Sequence, residues 1–498
     1  MRTSAATTSA DACAKRICSD MTTTDSQHAP DVALCVDLDG TLLRTDILHE
    51  SLLVLLRRNP LLVFLLPFWL MRGKAAFKHE IACRVELDVE SLPYDSRVLR
   101  LLEGGTARPR VLCTASHRKF AEAVSRHLGV FEQVMASDET GNLSGREKAT
   151  ALIERFGERG FDYAGNSPAD LHVWRHAREA WVVDAPKSVA AKVERHARVA
   201  VSLEGTGNAW TAWSSAIRTH QWLKNLLVFV PLFAAHRFTD TQAYAEAACA
   251  FVAFCLCASG VYLLNDLFDL DADRHHARKR QRPFASGQIK LIHGMIAAPA
   301  LSGLGLLIAM WIAPLFALCL AAYYIMTAMY TIWLKRVAML DVVLLAGLYT
   351  ARIIGGAAAM RASLSFWLLA FSMFLFLSLA MVKRYAELAD ALSSGKKSAK
   401  GRGYSVEDLV LIQSLGTSSG YIAVLVLALY INSPESLKLY AHPQAIWLVC
   451  PLLLYWVSRT WVIAHRGIMH DDPVVFAATD RVSQLVVLMC GIIVLCAL

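Results

Sequence analysis

No cysteine pattern in this 498-residue chain argues for disulfides or for a metal–thiolate centre. The twelve cysteines stand singly, and Cys249, Cys255, Cys257, Cys319, Cys450, Cys490 and Cys496 fall within apolar runs, where a thiol behaves as a small hydrophobe. Cys255 and Cys257 are too close for a zinc or thioredoxin-type motif. Residues 1–30 lack a continuous apolar core; rich in Ala, Ser, Thr and Asp, they read as a disordered tail and not as a signal peptide. No short-period repeat occurs. The polarity of an ordinary soluble protein is missing too: 55% apolar content and a mean hydropathy of +0.39 place much of the chain in lipid. A formal charge of +8 would suit nucleic acid, but in so apolar a chain a basic excess reflects Lys and Arg held in cytoplasmic loops, and nucleic acid is set aside.

Composition changes near residues 200 to 220. Before that point the short apolar runs ALCVDLDG, RVLCTAS, FDYAG and AWVVDA alternate with charged helical stretches, the mark of a parallel sheet covered by helices. The expected division is a tail over 1–30, an α/β domain over 31–195, a linker over 196–215, and an all-α polytopic membrane domain over 216–498. The stretch from Leu52 to Met71 is as hydrophobic as a span but contains Arg57, Arg58, Pro60 and Pro67. It reads as a buried or interfacial cap helix.

Nine apolar segments follow, from 222–236 to 480–498, several long enough to cross a bilayer alone. With the N-terminus inside, the loops after the second, fourth, sixth and eighth spans are cytoplasmic. They hold Arg274, Arg278, Lys279, Arg280, Arg282, Lys335, Arg336, Lys383, Arg384, Lys396, Lys397, Lys400 and Arg402. Little beyond Arg237, Arg361 and Lys438 lies opposite, and this asymmetry predicts a multi-pass protein of the cell membrane with its N-terminal domain and acidic loops in the cytoplasm. The stretch SSGKKSAKGRG reads as a flexible loop.

The most informative stretch runs from Asn265 to Gly287. Asp266, Asp269 and Asp273 recur at three and four residues, so on a helix they share one face and converge on divalent cations; Asp271 lies off that face. A solvated helix end is the plain alternative, but ionisable clusters at a membrane boundary are expensive and by default functional. A Mg²⁺–diphosphate complex relieves their repulsion, and Arg274, Lys279 and Arg282 stand nearby to hold phosphoryl oxygens. His275 and His276 have no partner at metal-ligand spacing and read as a solvated loop. Lys335 and Asp341 flank the fifth span; Arg352 within it either reaches a polar cavity or pairs with a carboxylate. Asp472, Asp480 and Arg481 read as surface charges.

The run N-D-x-x-D-x-x-x-D followed by R-P-x-x-S-G resembles the first signature of the UbiA prenyltransferase superfamily. Within it, Q-W-x-K-N at Gln221–Asn225, D-R-x-H-x-x-K-x-x-R-P from Asp273, and K-R-Y-A-E at Lys383–Glu387 are most similar to decaprenyl-phosphate phosphoribosyltransferases. The resemblance implies that Asp266, Asp269 and Asp273 hold Mg²⁺ on a diphosphate leaving group. Lys224, Asn265, Arg274, Lys279, Arg282, Lys383, Arg384 and Glu387 would then bind substrate, phosphoribosyl diphosphate as donor and a polyprenyl phosphate as acceptor. Glu387 and Asp390 replace the D-x-x-x-D of the aromatic enzymes, which argues against a phenolic acceptor. Two alternatives stay open: a 4-hydroxybenzoate-type polyprenyltransferase using a prenyl diphosphate, and a non-catalytic transporter or scaffold of lipid phosphates.

Asp37-Leu38-Asp39-Gly40-Thr41-Leu42, closing the strand ALCV, resembles the first motif of haloacid-dehalogenase-type phosphatases. That family implies a Rossmann-like fold with, here, a small helical cap between the first two motifs. It implies Asp37 as nucleophile, Asp39 as general acid and base, Thr114 and Lys148 on the phosphoryl group, and Asp37, Asp39 and Asp170 around Mg²⁺. Asn166 stands where an aspartate is usual.

Overall fold

The computed structural model describes residues 32–104, 108–139, 141–205, 207–395, 403–469 and 472–498. The expected tail and the loop cations Lys396, Lys397, Lys400 and Arg402 lie outside them. The chain divides into two compact units, Met1–Thr206 and Gly207–Leu498.

In the first unit six strands, β1 (Ala33–Val36), β2 (Arg110–His117), β3 (Gln133–Ser137), β4 (Phe161–Gly165), β5 (Glu179–Val183) and β6 (Arg198–Leu203), form one sheet of order β3-β2-β1-β4-β5-β6. Every neighbouring pair is parallel. β1 is buried at all its positions, as a central strand covered on both faces must be. Its residues alternate between two cores: Leu34 and Val36 pack with Leu112 and Phe120, while Ala33 and Cys35 pack with Val111 and Trp174. The strand order reverses between β1 and β4, so their carboxyl ends open the crevice where ligands bind in such sheets. Residues 198–203, expected in the linker, belong to the sheet as β6. The edge strand alternates exposed and half-buried positions, which hid it from a reading based on continuous apolar runs.

A helical cap follows the first motif: α1 (Ile47–Arg58), a 3-10 turn over Pro60–Phe64, α2 (Leu66–Met71) and α3 (Lys74–Ala82). Asp46 starts α1 by accepting from the Leu48 and His49 amides, and the Asn59–Pro60 step ends it. Pro67 sits in the first turn of α2, so the apolar run from Leu52 to Met71 is three short pieces and not a span. Leu55, Trp69, Ile81 and Val85 hold them together. Helices α4 (Ser96–Glu103), α5 (Arg118–Leu128) and α6 (Arg146–Phe156), with shorter ones over Leu171–Trp174 and Lys187–Val193, complete the covering layers.

The second unit is helical: α7 (Thr241–Phe268), α8 (Leu270–Arg274), α9 (Leu291–Ile312), α10 (Pro314–Ile332), α11 (Leu340–Ala359), α12 (Phe366–Ser393), α13 (Leu409–Ile431), α14 (Val449–His465), α15 (Pro473–Thr479) and α16 (Arg481–Ala497), with shorter turns between. Among the described residues seven helices are long and apolar enough to cross a membrane, eight if the pair α15–α16, bent by 75°, counts as one span. The nine expected spans are not reached. The segment 222–236 forms 3-10 turns over Thr219–Phe229 and a short helix Val230–Ala234, where Pro231 removes a donor and Lys224 and Asn225 turn inward.

The outside of this unit is apolar, with Trp311, Phe366 and Val410 exposed, while Asp266, Asp341, Arg352 and Arg384 are buried inside it. This inverts the soluble pattern. Helices α7 and α9 approach closely through small residues: a Cβ on Gly260 would lie 2.1 Å from Ser302 Oγ and 2.7 Å from the Ala298 carbonyl. That contact fixes the half of α7 that ends in the aspartate motif.

Candidate active sites

Asp37 leaves β1 with its amide bonded to the Ala164 carbonyl of β4, 3.0 Å away, which sets its side chain at the switch point of the sheet. Lys148, on α6, donates to Asp37 Oδ1 at 2.7 Å and to Tyr163 Oη at 3.0 Å, and lies 3.9 Å from Asp170 Oδ1. Tyr163 in turn donates to Asp170 at 2.7 Å. Burial pushes the Asp37 carboxyl up to about 7 against the pull of Lys148, with Asp170 and Asp39 adding to the rise. Lys148 itself, despite burial, is held above its usual range by Asp37 and Asp170.

Asp39 faces the other way. It accepts from the Ile47 amide at 2.8 Å, Ser116 Oγ at 2.6 Å and Thr114 Oγ at 3.4 Å, and burial pushes it up to about 6. Ser116 was not singled out by the sequence, although it stands two residues past Thr114 at the same strand end. Gly40 has φ +77°, and a Cβ there would meet Asn166 Nδ2 at 2.0 Å; the amide of Asn166 therefore packs directly over the first motif. Asp37, Asp39, Ser116, Lys148, Asn166 and Asp170 line a cavity of about 440 Å³ together with Lys74, Lys78, Asn142 and Ser144; Thr114, expected on the phosphoryl group, is not among them but fully buried, its hydroxyl accepting from the Ser116 amide at 3.0 Å. Lys78, also unanticipated, donates to the Ala115 carbonyl and to Asn142.

In the membrane unit the aspartate motif does not ride on one unbroken helix. α7 ends at Phe268 and Asp269 caps both it and α8. Asp266 and Asp273 consequently converge, on the same nitrogen of Arg282, at 3.1 and 2.7 Å. Asp269 turns instead toward Lys335, 3.9 Å away. Arg218, absent from the expected set, reaches Asp266 at 2.5 Å and lies over the Tyr262 ring. Arg274 is buried and donates to the Ala285 carbonyl, Lys279 is exposed, and Asn265 is half-buried on α7.

A second cluster gathers around Asp472. Far from being a surface charge, its side chain is 5% exposed and accepts from Lys224 at 2.7 Å, Lys383 at 2.8 Å and Tyr349 at 3.1 Å. Among the described residues Arg352 makes no ion pair with a carboxylate; it donates to Asn225 and Tyr323, both at 2.8 Å. Tyr262, one turn before Asp266, lies under the Arg218 guanidinium, and Arg352 lies 5.7 Å from the ring of Tyr349, whose hydroxyl donates to Asp472. Arg384 stands apart. It is buried against Asp341 at 2.5 Å, Tyr330 at 3.0 Å and Glu387, a packing role rather than a surface open to substrate. Asp480 caps α16 and pairs with Arg459.

Among the described residues no group of three or more His, Cys, Asp or Glu side chains is gathered to hold a metal alone. Mg²⁺ does not require one: it takes one or two carboxylates and completes its shell with water and phosphate oxygens. The pairs Asp266–Asp273 and Asp37–Asp170, hard oxygen donors held near cations, fit that demand.

An apolar exterior around a charged interior defines a multi-pass membrane protein. Residues 226–495 match the UbiA prenyltransferase family, and the chain belongs to it. It is similar to uncharacterized protein y4nM of Sinorhizobium fredii, 37% identical over 457 residues, 90% of this chain and 88% of the relative. It is also similar to the decaprenyl-phosphate phosphoribosyltransferase of Mycolicibacterium smegmatis, 31% identical over 279 residues, 55% of this chain and 88% of the relative. A third likeness is to phosphoglycolate phosphatase of Halorubrum lacusprofundi, 30% identical over 131 residues, 25% of this chain and 57% of that enzyme.

Proposed function

We propose that the membrane unit transfers phosphoribose from phosphoribosyl diphosphate to a polyprenyl phosphate at the inner leaflet, and that the α/β unit removes a phosphate from the product. The observation that carries the first step is the charge balance. Among the described residues of the two clusters Arg218, Arg282, Lys335, Lys224, Lys383 and Arg352 face four carboxylates, Asp266, Asp269, Asp273 and Asp472. A donor carrying three phosphoryl groups and an anionic acceptor bring more negative charge to that excess than a prenyl diphosphate and a phenolic acid with one carboxylate do.

Mg²⁺ on Asp266 and Asp273 would neutralise the departing diphosphate. Arg282 and Arg218 exchange their hold on Asp266 for the phosphoryl oxygens, and Lys224 and Lys383 take the remaining phosphate. The bond from C1 of the ribose to the diphosphate breaks with its electron pair leaving on oxygen, and an acceptor phosphate oxygen, already anionic, forms the new bond without a general base. Charge stabilisation and alignment carry the rate. In the α/β unit Asp37 attacks phosphorus, Asp39 protonates the leaving oxygen and then deprotonates the attacking water, and Lys148 steadies the phosphoryl charge. Fusing the two sites raises the local concentration of the intermediate.

Membranes containing the chain, incubated with labelled phosphoribosyl diphosphate and polyprenyl phosphate, are expected to give a labelled lipid that loses phosphate with time. No labelled lipid rejects the reading; product from prenyl diphosphate and 4-hydroxybenzoate replaces it with the aromatic one.

A further inference from the structure

The exposed large apolar side chains of the α/β unit are not scattered. Among the described residues all seven lie between Leu61 and Met71, led by Met71 (85% exposed), Leu61 (71%), Phe64 (70%) and Phe68 (65%). A soluble domain does not concentrate its exposed apolar surface in eleven residues without a partner for it. The patch is one face of the cap: Trp69 of α2 points inward, 7% exposed, against Leu55, Ile81 and Val85, with the Arg84 guanidinium 4.8 Å from its ring. The opposite face carries Phe64 and Phe68.

Its rim is mainly basic, with Glu80, paired to Arg72 at 2.9 Å, as the nearest carboxylate beyond it in sequence. From Ser51 to His79 there is no Asp or Glu, while Arg57, Arg58, Arg72, Lys74 and Lys78 lie within that stretch. An apolar face rimmed by cations is what an anionic bilayer surface receives, and this chain is anchored in a bilayer by its other unit. We infer that residues 60–71 dip into the cytoplasmic leaflet as an interfacial anchor, so that the mouth of the phosphatase cavity opens at the lipid surface. Leu70 belongs to the patch and also lines the cavity, beside Lys74 and Phe77, with Asp37 within. A phosphate on a long prenyl chain then reaches Asp37 without leaving the membrane. This last consequence rests on the phosphatase reading above; the lipid contact does not.

The test uses the full chain in phosphatidylglycerol–phosphatidylcholine proteoliposomes containing a diazirine-bearing phospholipid, with adducts mapped by mass spectrometry. Carbene adducts are expected on residues 60–71, at least fivefold fewer in Phe64→Ser/Phe68→Ser, with adducts on α9 unchanged. Labelled α9 with an unlabelled 60–71 segment overturns the anchor. So do cross-links showing the segment seated on a second copy or on another part of the chain. In the same vesicles the double variant should hydrolyse 4-nitrophenyl phosphate at the wild-type rate but a polyprenyl-linked phosphate about tenfold more slowly. An equal rate on the lipid substrate overturns the delivery role. Wild-type protein that hydrolyses neither compound defeats the phosphatase reading, and the adducts then decide the anchor alone.

Discussion

The two sites of this chain solve the same problem, carboxylates gathered out of water, in opposite ways. In the α/β unit a single buried lysine, Lys148, is shared by Asp37 and Asp170, and carboxylates outnumber cations in the immediate ring. In the membrane unit Asp266 and Asp273 share Arg282, Asp266 also holds Arg218, Asp269 faces Lys335, and Asp472 holds Lys224 and Lys383, so that in these clusters cations outnumber carboxylates. The first arrangement leaves negative charge that a divalent ion can complete. The second leaves positive charge that only a highly anionic ligand can complete, since unpaired charge near lipid is costly. The difference teaches that the acidic motif alone says little about substrate; the cations facing it say more.

The sharpest way to break this contrast is to disable one site and watch the other. Asp37→Asn should lower phosphate hydrolysis on the order of 10⁶-fold, the scale seen when a covalent nucleophile is lost, with transfer to lipid unchanged. Conversely Asp266→Asn should lower transfer by about 10³-fold, since it removes a charge that acts only as the leaving group departs, with hydrolysis of a soluble phosphate ester unchanged. Loss of both activities in either variant would mean that the units do not work independently.

Lys383 and Arg384 allow a finer comparison, because neighbours in sequence face different partners. Arg384→Met strands Asp341, which is 0% exposed, without its cation; the expected cost is about 3–5 kcal/mol of stability, read as a lower melting temperature in detergent. Lys383, 29% exposed beside Asp472, is the cation to which the proposed reaction assigns a phosphate. Lys383→Met should raise KM for phosphoribosyl diphosphate about tenfold, the loss of one charged hydrogen bond, with melting within a degree or two of wild type. A melting change as large as that of Arg384→Met would assign Lys383 to packing as well.

That pair also marks what the sequence conveys and what it withholds. That Asp37, Lys148 and Asp170 come together was legible because each follows or closes a recognisable strand or opens a helix, and a parallel sheet brings strand ends to one crevice; at the end of β2 the cavity position falls to Ser116, two residues past the buried Thr114. Asp266 and Asp273 were legible from helical spacing, but the break at Asp269 was not, since no Pro or Gly announces it. Asp472 was invisible as a partner: it lies 248 residues from Lys224, and no local pattern encodes a contact made by the fold of the whole bundle. Arg218 was missed for a related reason: it lies between the expected linker and the first apolar segment, outside any motif. The segment 222–236 had the composition of a span, yet its inward-facing Lys224 and Asn225 decided its shape.

The smallest expected effect concerns Asn166, the position at which the first unit departs from the phosphatase pattern. Its amide packs over Gly40, and its backbone amide donates to Asp170 Oδ2 at 3.2 Å, so the side chain fills the usual position of a carboxylate without its charge. With Asn166→Asp the ring around Lys148 gains a third anion, which favours a bound divalent cation and disfavours the empty site. The half-saturating Mg²⁺ concentration for phosphate hydrolysis should therefore fall about threefold to tenfold, roughly 1 kcal/mol, while transfer to lipid keeps its own Mg²⁺ dependence. An unchanged Mg²⁺ requirement would mean that Asp37 and Asp170 already supply all the charge the ion uses, and that the asparagine serves to hold the first motif in place.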